Sequence, residues 1–191
     1  MRIWNAILRL ADALSFLKQD SDTPHGQSPA LLEAYNRYDT YYQQGRYAEA
    51  LPYATEALRL GEEEFGPDHP TTAIFLNNLA ALYRDQGNYT EAEPLYRRSL
   101  AIKEKALGPE HPSLASTLKG LADINRAQGN YAKAEPLYQR SLTIVERALG
   151  PEHPHVPKIL DNYAALLRET DRADEATEME ARAKVIRAKY E

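Results

Sequence analysis

The sequence predicts an all-α fold, a right-handed αα-solenoid of stacked antiparallel helix pairs, and three observations support it. A Gly-Pro-acid-His-Pro sequence occurs three times with its histidines at His69, His111 and His153, so the chain repeats every 42 residues. The same offset carries Gln44-Gly45 onto Gln86-Gly87 and Gln128-Gly129, and Pro52 onto Pro94 and Pro136. Within each period the apolar residues fall at i, i+3 and i+4 spacings, the signature of helices. A period of about 20–50 residues means stacked supersecondary units, none stable alone. Such an array points to a surface as the seat of function rather than to a catalytic pocket.

Ahead of the repeats, Ile3, Trp4, Ile7, Leu10, Ala11, Leu14 and Leu17 form an apolar helical stripe, one period before the helix expected near Ala48. Residues 1–27 are read as an N-terminal capping helix and loop, because an uncapped first pair would leave an apolar face bare. A membrane-surface or partner-binding helix is the competing reading. Gln19 to Pro29, rich in Asp, Ser, Pro and Gly, is a connecting loop. Repeats follow at residues 28–70, 71–112 and 113–154, and residues 155–191 form a divergent fourth copy with a C-terminal capping helix.

The second copy shows the design of a unit. Its first helix is expected from about Thr71 to Gln86, with Ile74, Phe75, Leu76, Leu79, Ala80, Leu82 and Tyr83 on the helical pattern. Gly87 supplies the left-handed residue that ends it. The second helix is expected to start near Thr90, which with Glu93 reads as a capping box. It continues through Ala92, Leu95, Tyr96, Ser99, Leu100, Ile102 and Leu107 and stops at Gly108-Pro109. Pro94 falls at the edge of the first turn, where few amide bonds exist to lose, so at most a slight bend is expected.

These residues carry a family resemblance. Small residues at Ala80 and Ala92, aromatics at Tyr83, Tyr89 and Tyr96, and Gly87 between the helices resemble the tetratricopeptide repeat. The repeat length, the L-N-N-L-A run from Leu76 to Ala80, the Y-x-E-A-E-P-L-Y run from Tyr89 to Tyr96 and L-G-P-E-H-P from Leu107 to Pro112 are similar to its kinesin-light-chain-like variety. The resemblance covers residues from about 28 to the end. Packing physics agrees, since small residues let two helices approach while tyrosines fill the gaps between pairs. In the fourth copy Tyr96 becomes Glu180 and Leu100 becomes Lys184. Charge at positions that should meet a further repeat predicts that the array ends here.

Composition narrows the function. Cysteine is absent, which removes disulfides, thiolate zinc sites and cysteine nucleophiles. A net charge of −5 argues against nucleic acid. No stretch approaches the ~18 apolar residues of a membrane span, and Arg9 and Asp12 within the apolar N-terminal segment argue against a signal peptide. A soluble, cytoplasmic monomer with no membrane partner is expected. The recurring histidines would lie about 10 Å apart on neighbouring pairs, too far to share an ion at bonds of ~2 Å. No metal and no cofactor are therefore expected, and the histidines are assigned to stabilising turns. Glu62, Glu63 and Glu64 read as a solvated helix face. With no phosphate loop, no H-E-x-x-H and no G-x-S-x-G, no enzyme activity is expected.

What remains is the concave wall made by the first helix of each pair. The resemblance implies that this wall binds short peptides. Carried over position by position, its groove residues are Tyr35 and Asn36, Asn77 and Asn78, Lys119 beside Gly120, and Asp161 and Asn162. Asp39 and Asp123 belong to the same wall. One turn further on, Tyr42 in the first copy is followed by Arg84, Arg126 and Arg168 in the others. Three arginines in register within an acidic chain suggest an acidic peptide or a terminal carboxylate as ligand. The alternative is that they pair with Asp85, Asp123 and Glu169 on the same wall. The expected function is a protein–protein interaction module, with a self-associating structural scaffold or a regulatory domain of a larger assembly as the rival.

Overall fold

The computed structural model describes residues 28–190. The expected N-terminal capping helix lies outside the described residues. Among those described there are eight α-helices and no strands. The chain divides into two compact units, one within residues 1–106 and one within residues 107–191. The first holds α1 (Pro29–Gln43), α2 (Tyr47–Phe65), α3 (Pro70–Asp85) and α4 (Tyr89–Leu107). The second holds α5 (Leu114–Ala127), α6 (Tyr131–Leu149), α7 (Val156–Glu169) and α8 (Ala173–Arg187). No described helix is long and apolar enough to cross a membrane.

Short turns fold each first helix back against its second. At the turn the backbone enters left-handed space, with φ of 80° at Gly87. The fourth copy keeps that geometry without glycine, since Asp171 holds φ at 59°. Asp tolerates that region better than most residues.

Small side chains close the helix pairs. Ala50, Ala92, Ala134 and Ala176, one period apart, are each 0% exposed. Opposite them the first copy exchanges sizes with the others. Its Tyr38 stands where Ala80, Ala122 and Ala164 do, and its Ala54 stands where Tyr96 and Tyr138 do. Tyr38 and Ala54 belong to one core cluster, so the large ring has moved from the second helix to the first and the volume is conserved. Phe75 of α3 packs so closely on α2 that a Cβ at Gly61 would fall 2.5 Å from its ring.

Second helices are tied back to the preceding loop by a contact that recurs with the period. Arg98, Arg140 and Arg182 donate to the carbonyls of Pro67, Pro109 and Pro151 at 2.8, 2.8 and 3.0 Å. Ser99 and Ser141, fully buried, donate to the Ala73 and Ala115 carbonyls at 2.6 and 2.8 Å. Each hydroxyl thereby satisfies a donor that would otherwise be costly to bury.

Two local expectations need correction. α4 begins at Tyr89, and the Ala92 amide bonds to the Asn88 carbonyl at 3.1 Å. Thr90 therefore sits inside the first turn and is not the N-cap of a capping box. The carboxylates of Glu62, Glu63 and Glu64 also do more than face solvent. Glu62 accepts from Arg98 of α4 at 2.6 Å, and Glu64 accepts from the Ser28 amide at 3.2 Å. Only Glu63, paired with Arg59 of its own helix, is an exposed member of the run.

The histidines sit at helix starts. His69 is the N-cap of α3, and its Nδ1 accepts from the Thr71 amide at 3.1 Å. His111 and His153 instead lie two residues before the N-caps Ser113 and His155, and their Nδ1 atoms accept from those residues' amides, both at 3.3 Å. At α3 an imidazole nitrogen thus replaces the usual Ser or Asp oxygen in satisfying an orphan amide.

Candidate interaction surface

In the first unit the wall positions divide between core and surface. Tyr35 is 8% exposed and packs edge-on against Phe75 with centroids 6.1 Å apart, so it is a core residue and not a groove residue. Asn78 is likewise buried at 9%. Asn36 is exposed and Asn77 half-buried. Asp39 accepts from Gln43 at 3.3 Å. Tyr42 donates to Asp85 of α3 at 2.7 Å, bridging the two first helices. Arg84 donates to the Tyr96 hydroxyl at 3.1 Å and to Asp85 at 2.8 Å.

The second unit carries a denser network. Asp123 of α5 accepts from Lys119 at 2.6 Å, from the Tyr138 hydroxyl at 2.7 Å and from Asn162 of α7 at 2.8 Å. One carboxylate therefore joins both first helices and a second helix. Tyr138 is 0% exposed and stacks on Tyr163, centroids 6.0 Å apart. Burial first, and then the Asp123 charge, hold its phenol well above the usual range. Lys119, which departs from the family's asparagine, is thus engaged by Asp123 within this wall.

The remaining wall charges are also paired. Arg126 donates to Glu169 of α7 at 2.7 Å, the same bridge that Tyr42 and Asp85 make one unit earlier. Burial pushes the Arg126 guanidinium down, but Tyr138, Glu169 and Asp123 outweigh it and the net direction is up. Arg168 grips Glu180 of α8 with two donors at 2.9 and 2.8 Å, and that grip holds the Glu180 carboxyl below its ordinary range. Asp161 is bonded by Arg187.

The three arginines share a partner position that sequence reading did not find. Arg84 meets Tyr96, Arg126 meets Tyr138 and Arg168 meets Glu180, twelve residues on in each copy. A hydroxyl in two copies becomes a carboxylate in the last. The signal was present as a constant offset, but it was masked because Tyr and Glu look unrelated. Exposure separates the pairs. Arg84 and Asp85 are 16% and 21% exposed, Arg126 and Glu169 27% and 39%, and Arg168 and Glu180 48% and 45%.

Comparison with known proteins follows the same lines. The sequence profile described as tetratricopeptide repeat matches residues 31–105, 71–142 and 113–184. No curated protein matches the chain in sequence. BtubC (BKLC) of P. vanneervenii is similar in structure, with a TM-score of 0.71 at 21% identity over 99% of this chain and 76% of that one. A Podosopora anserina protein described as a kinesin light chain with nearly identical tetratricopeptide-like repeats appears in two forms. One variant gives a TM-score of 0.70 at 26% identity over 86% of this chain and 78% of that one. The other gives 0.62 at 23% identity over 94% and 85%.

Proposed function

Because this chain belongs to the tetratricopeptide repeat family, in its kinesin-light-chain-like form, we propose that it is a protein-interaction module that receives a short acidic peptide on the wall formed by α5 and α7. The family's repeats generally serve protein–protein interaction, and its members are typically non-enzymatic scaffolds. The observation that carries the finer reading is the gradient of exposure along the arginines. Ion pairs that are half exposed are weak in water and readily exchanged. A peptide carboxylate can therefore take the place of Glu169 or Glu180, whereas Arg84 is held by Asp85 and Tyr96 in a more enclosed setting. Packed helices stand about 10 Å apart, and an extended peptide advances ~3.3 Å per residue. Acidic side chains three positions apart then match Arg126 and Arg168.

One observation favours a rival. The contact between each arginine and the position twelve residues on recurs in three copies, as expected if the arginines exist to close the helix pairs. Binding separates the two. Labelled peptides with glutamates three apart should bind in the micromolar range, weaken with salt, and lose affinity when the glutamates become glutamines. Arg126→Glu with Arg168→Glu should abolish binding with helical circular dichroism intact, and Arg84→Glu should matter less. Equal binding of acidic and amide peptides, or unchanged affinity after charge reversal, would assign the arginines to the wall's own network. A concentration-dependent mass without peptide would favour the self-associating scaffold.

A further inference from the structure

The first copy exposes a helix face that the other copies bury. Phe75, Leu79 and Leu82 of α3 are buried, as are their equivalents on α5 and α7. On α1 the same positions are Glu33, Arg37 and Thr40, and all three are exposed. They line a groove of about 590 Å³ that follows α1 from Pro29 to Gln44 and ends at Arg46. That volume lies within the range of about 300–1,000 Å³ usual for ligand sites. Leu32, 45% exposed, is an apolar side chain of its lining.

Planar groups are layered beside this groove. Tyr41 and Tyr53 stack with centroids 5.6 Å apart and planes 13° apart. The Arg46 guanidinium lies 4.6 Å from the Tyr41 centroid, and that of Arg37 lies 5.5 Å from the Tyr53 centroid. Arg37 pairs with Glu33 at 2.8 Å and donates to the Tyr53 hydroxyl at 3.2 Å. Arg46 donates to Glu49 at 2.6 Å and to Gln44 Oε1 at 2.9 Å. Each cation thus has its anion within the first copy, so the groove is neutral in a chain of net charge −5. Charge complementarity selects an uncharged partner. The polar groups left over are chiefly donors, since the Asn36 side-chain amide, Gln44 Nε2 and the Tyr41 hydroxyl have no partner among the described residues. A prolyl residue brings a carbonyl acceptor and no N–H, so it meets these donors and leaves none of its own unmet. Asn36 and Gln44 stand about 12 Å apart along α1, a span that polyproline II covers in about four residues.

We propose that the groove along α1 binds an uncharged, proline-rich segment of a partner protein in the polyproline II conformation. Proline rings lie against Leu32 and Tyr41, and peptide carbonyls accept from Asn36 and Gln44, the mode by which aromatic-lined grooves take such chains. The site is independent of the acidic-peptide reading of α5 and α7. Fluorescein-labelled decaproline with an amidated C-terminus tests it against the full chain by fluorescence anisotropy. Saturable binding is expected, insensitive to salt because the groove carries no net charge, and a glycine–serine peptide of the same length should not bind. Asn36→Asp with Gln44→Glu replaces two exposed donors by acceptors of the same shape. It should weaken binding about 5–150-fold, the loss of two hydrogen bonds, with helical circular dichroism intact. Four outcomes would overturn the proposal. They are no saturable binding, equal binding of the glycine–serine peptide, affinity unchanged in the double variant, and competition by an unlabelled peptide with glutamates three apart, which would place both ligands on one site. A scattering mass that falls from parent to Leu32→Glu would likewise overturn it, because the occupant would then be a second copy of this chain.

Discussion

Tyr138→Phe removes one oxygen from a fully buried ring and so isolates what the hydroxyl contributes. The stacking on Tyr163 is retained, and the change is confined to the hydroxyl's own contacts, the 2.7 Å bond to Asp123 and the contact with Arg126. A hydrogen bond to a charged group is worth about 1.5–3 kcal/mol. Asp123 keeps Lys119 and Asn162, so its carboxylate is not orphaned and the loss should fall near about 1–2 kcal/mol. The effect should also depend on pH. The phenol is held well above its ordinary value of 10.0 by burial and by Asp123. Above that ordinary value the unfolded chain gives up a proton that the native chain keeps, so native stability falls as pH rises, by up to ~1.4 kcal/mol per pH unit. Below it the contribution is complete. The variant lacks this titration, so its urea-unfolding midpoint should lie below the parent's at neutral pH and the gap should close toward pH about 10.5. Circular dichroism in urea at the two pH values measures it. Equal midpoints at neutral pH, or a gap that stays constant into the alkaline range, would refute the assignment of this bond.

Gly61→Ala should destabilise by about 1–3 kcal/mol through overpacking against Phe75, and Phe75→Leu in the same chain should recover most of that in denaturant unfolding. His111→Ala should cost about 0.5–1.5 kcal/mol, the net worth of one hydrogen bond, because the Ser113 amide loses its Nδ1 acceptor; an unchanged unfolding midpoint would mean that water replaces it fully. Glu180→Tyr with Lys184→Leu should leave folding intact, since a tyrosine hydroxyl can still accept from Arg168 as Tyr96 does from Arg84. It should create an apolar end that associates, seen as rising mass in sedimentation, and a variant as monomeric as its parent would count against the closing role of these charges.

Much of the candidate surface was legible because repeats make equivalence readable. Arg84, Arg126 and Arg168 could be placed on one turn of three first helices from spacing alone. Their partners could not, because Glu180 and Glu169 lie 12 and 43 residues along the chain and only the folded helices bring them close. Tyr35 and Asn78 were assigned to the groove by position, yet both are buried. A helix face is divided between groove and core by where its neighbours sit, and spacing does not reveal that division.

Among the described residues, the sequence by itself determined the number, length and pairing of the helices. Those follow from local physics: helical spacing of apolar residues, glycine at left-handed turns, proline and histidine at helix starts, and alanine where two helices touch. Tertiary structure alone decided how charge is used. It joined Arg98 to Pro67 and Glu62 and gathered Lys119, Tyr138 and Asn162 on Asp123. Hydrophobic burial is non-directional and announces itself as a pattern along the chain. Ion pairs and hydrogen bonds depend on distances of about 3 Å between groups remote in sequence, and only the packed helices set those distances.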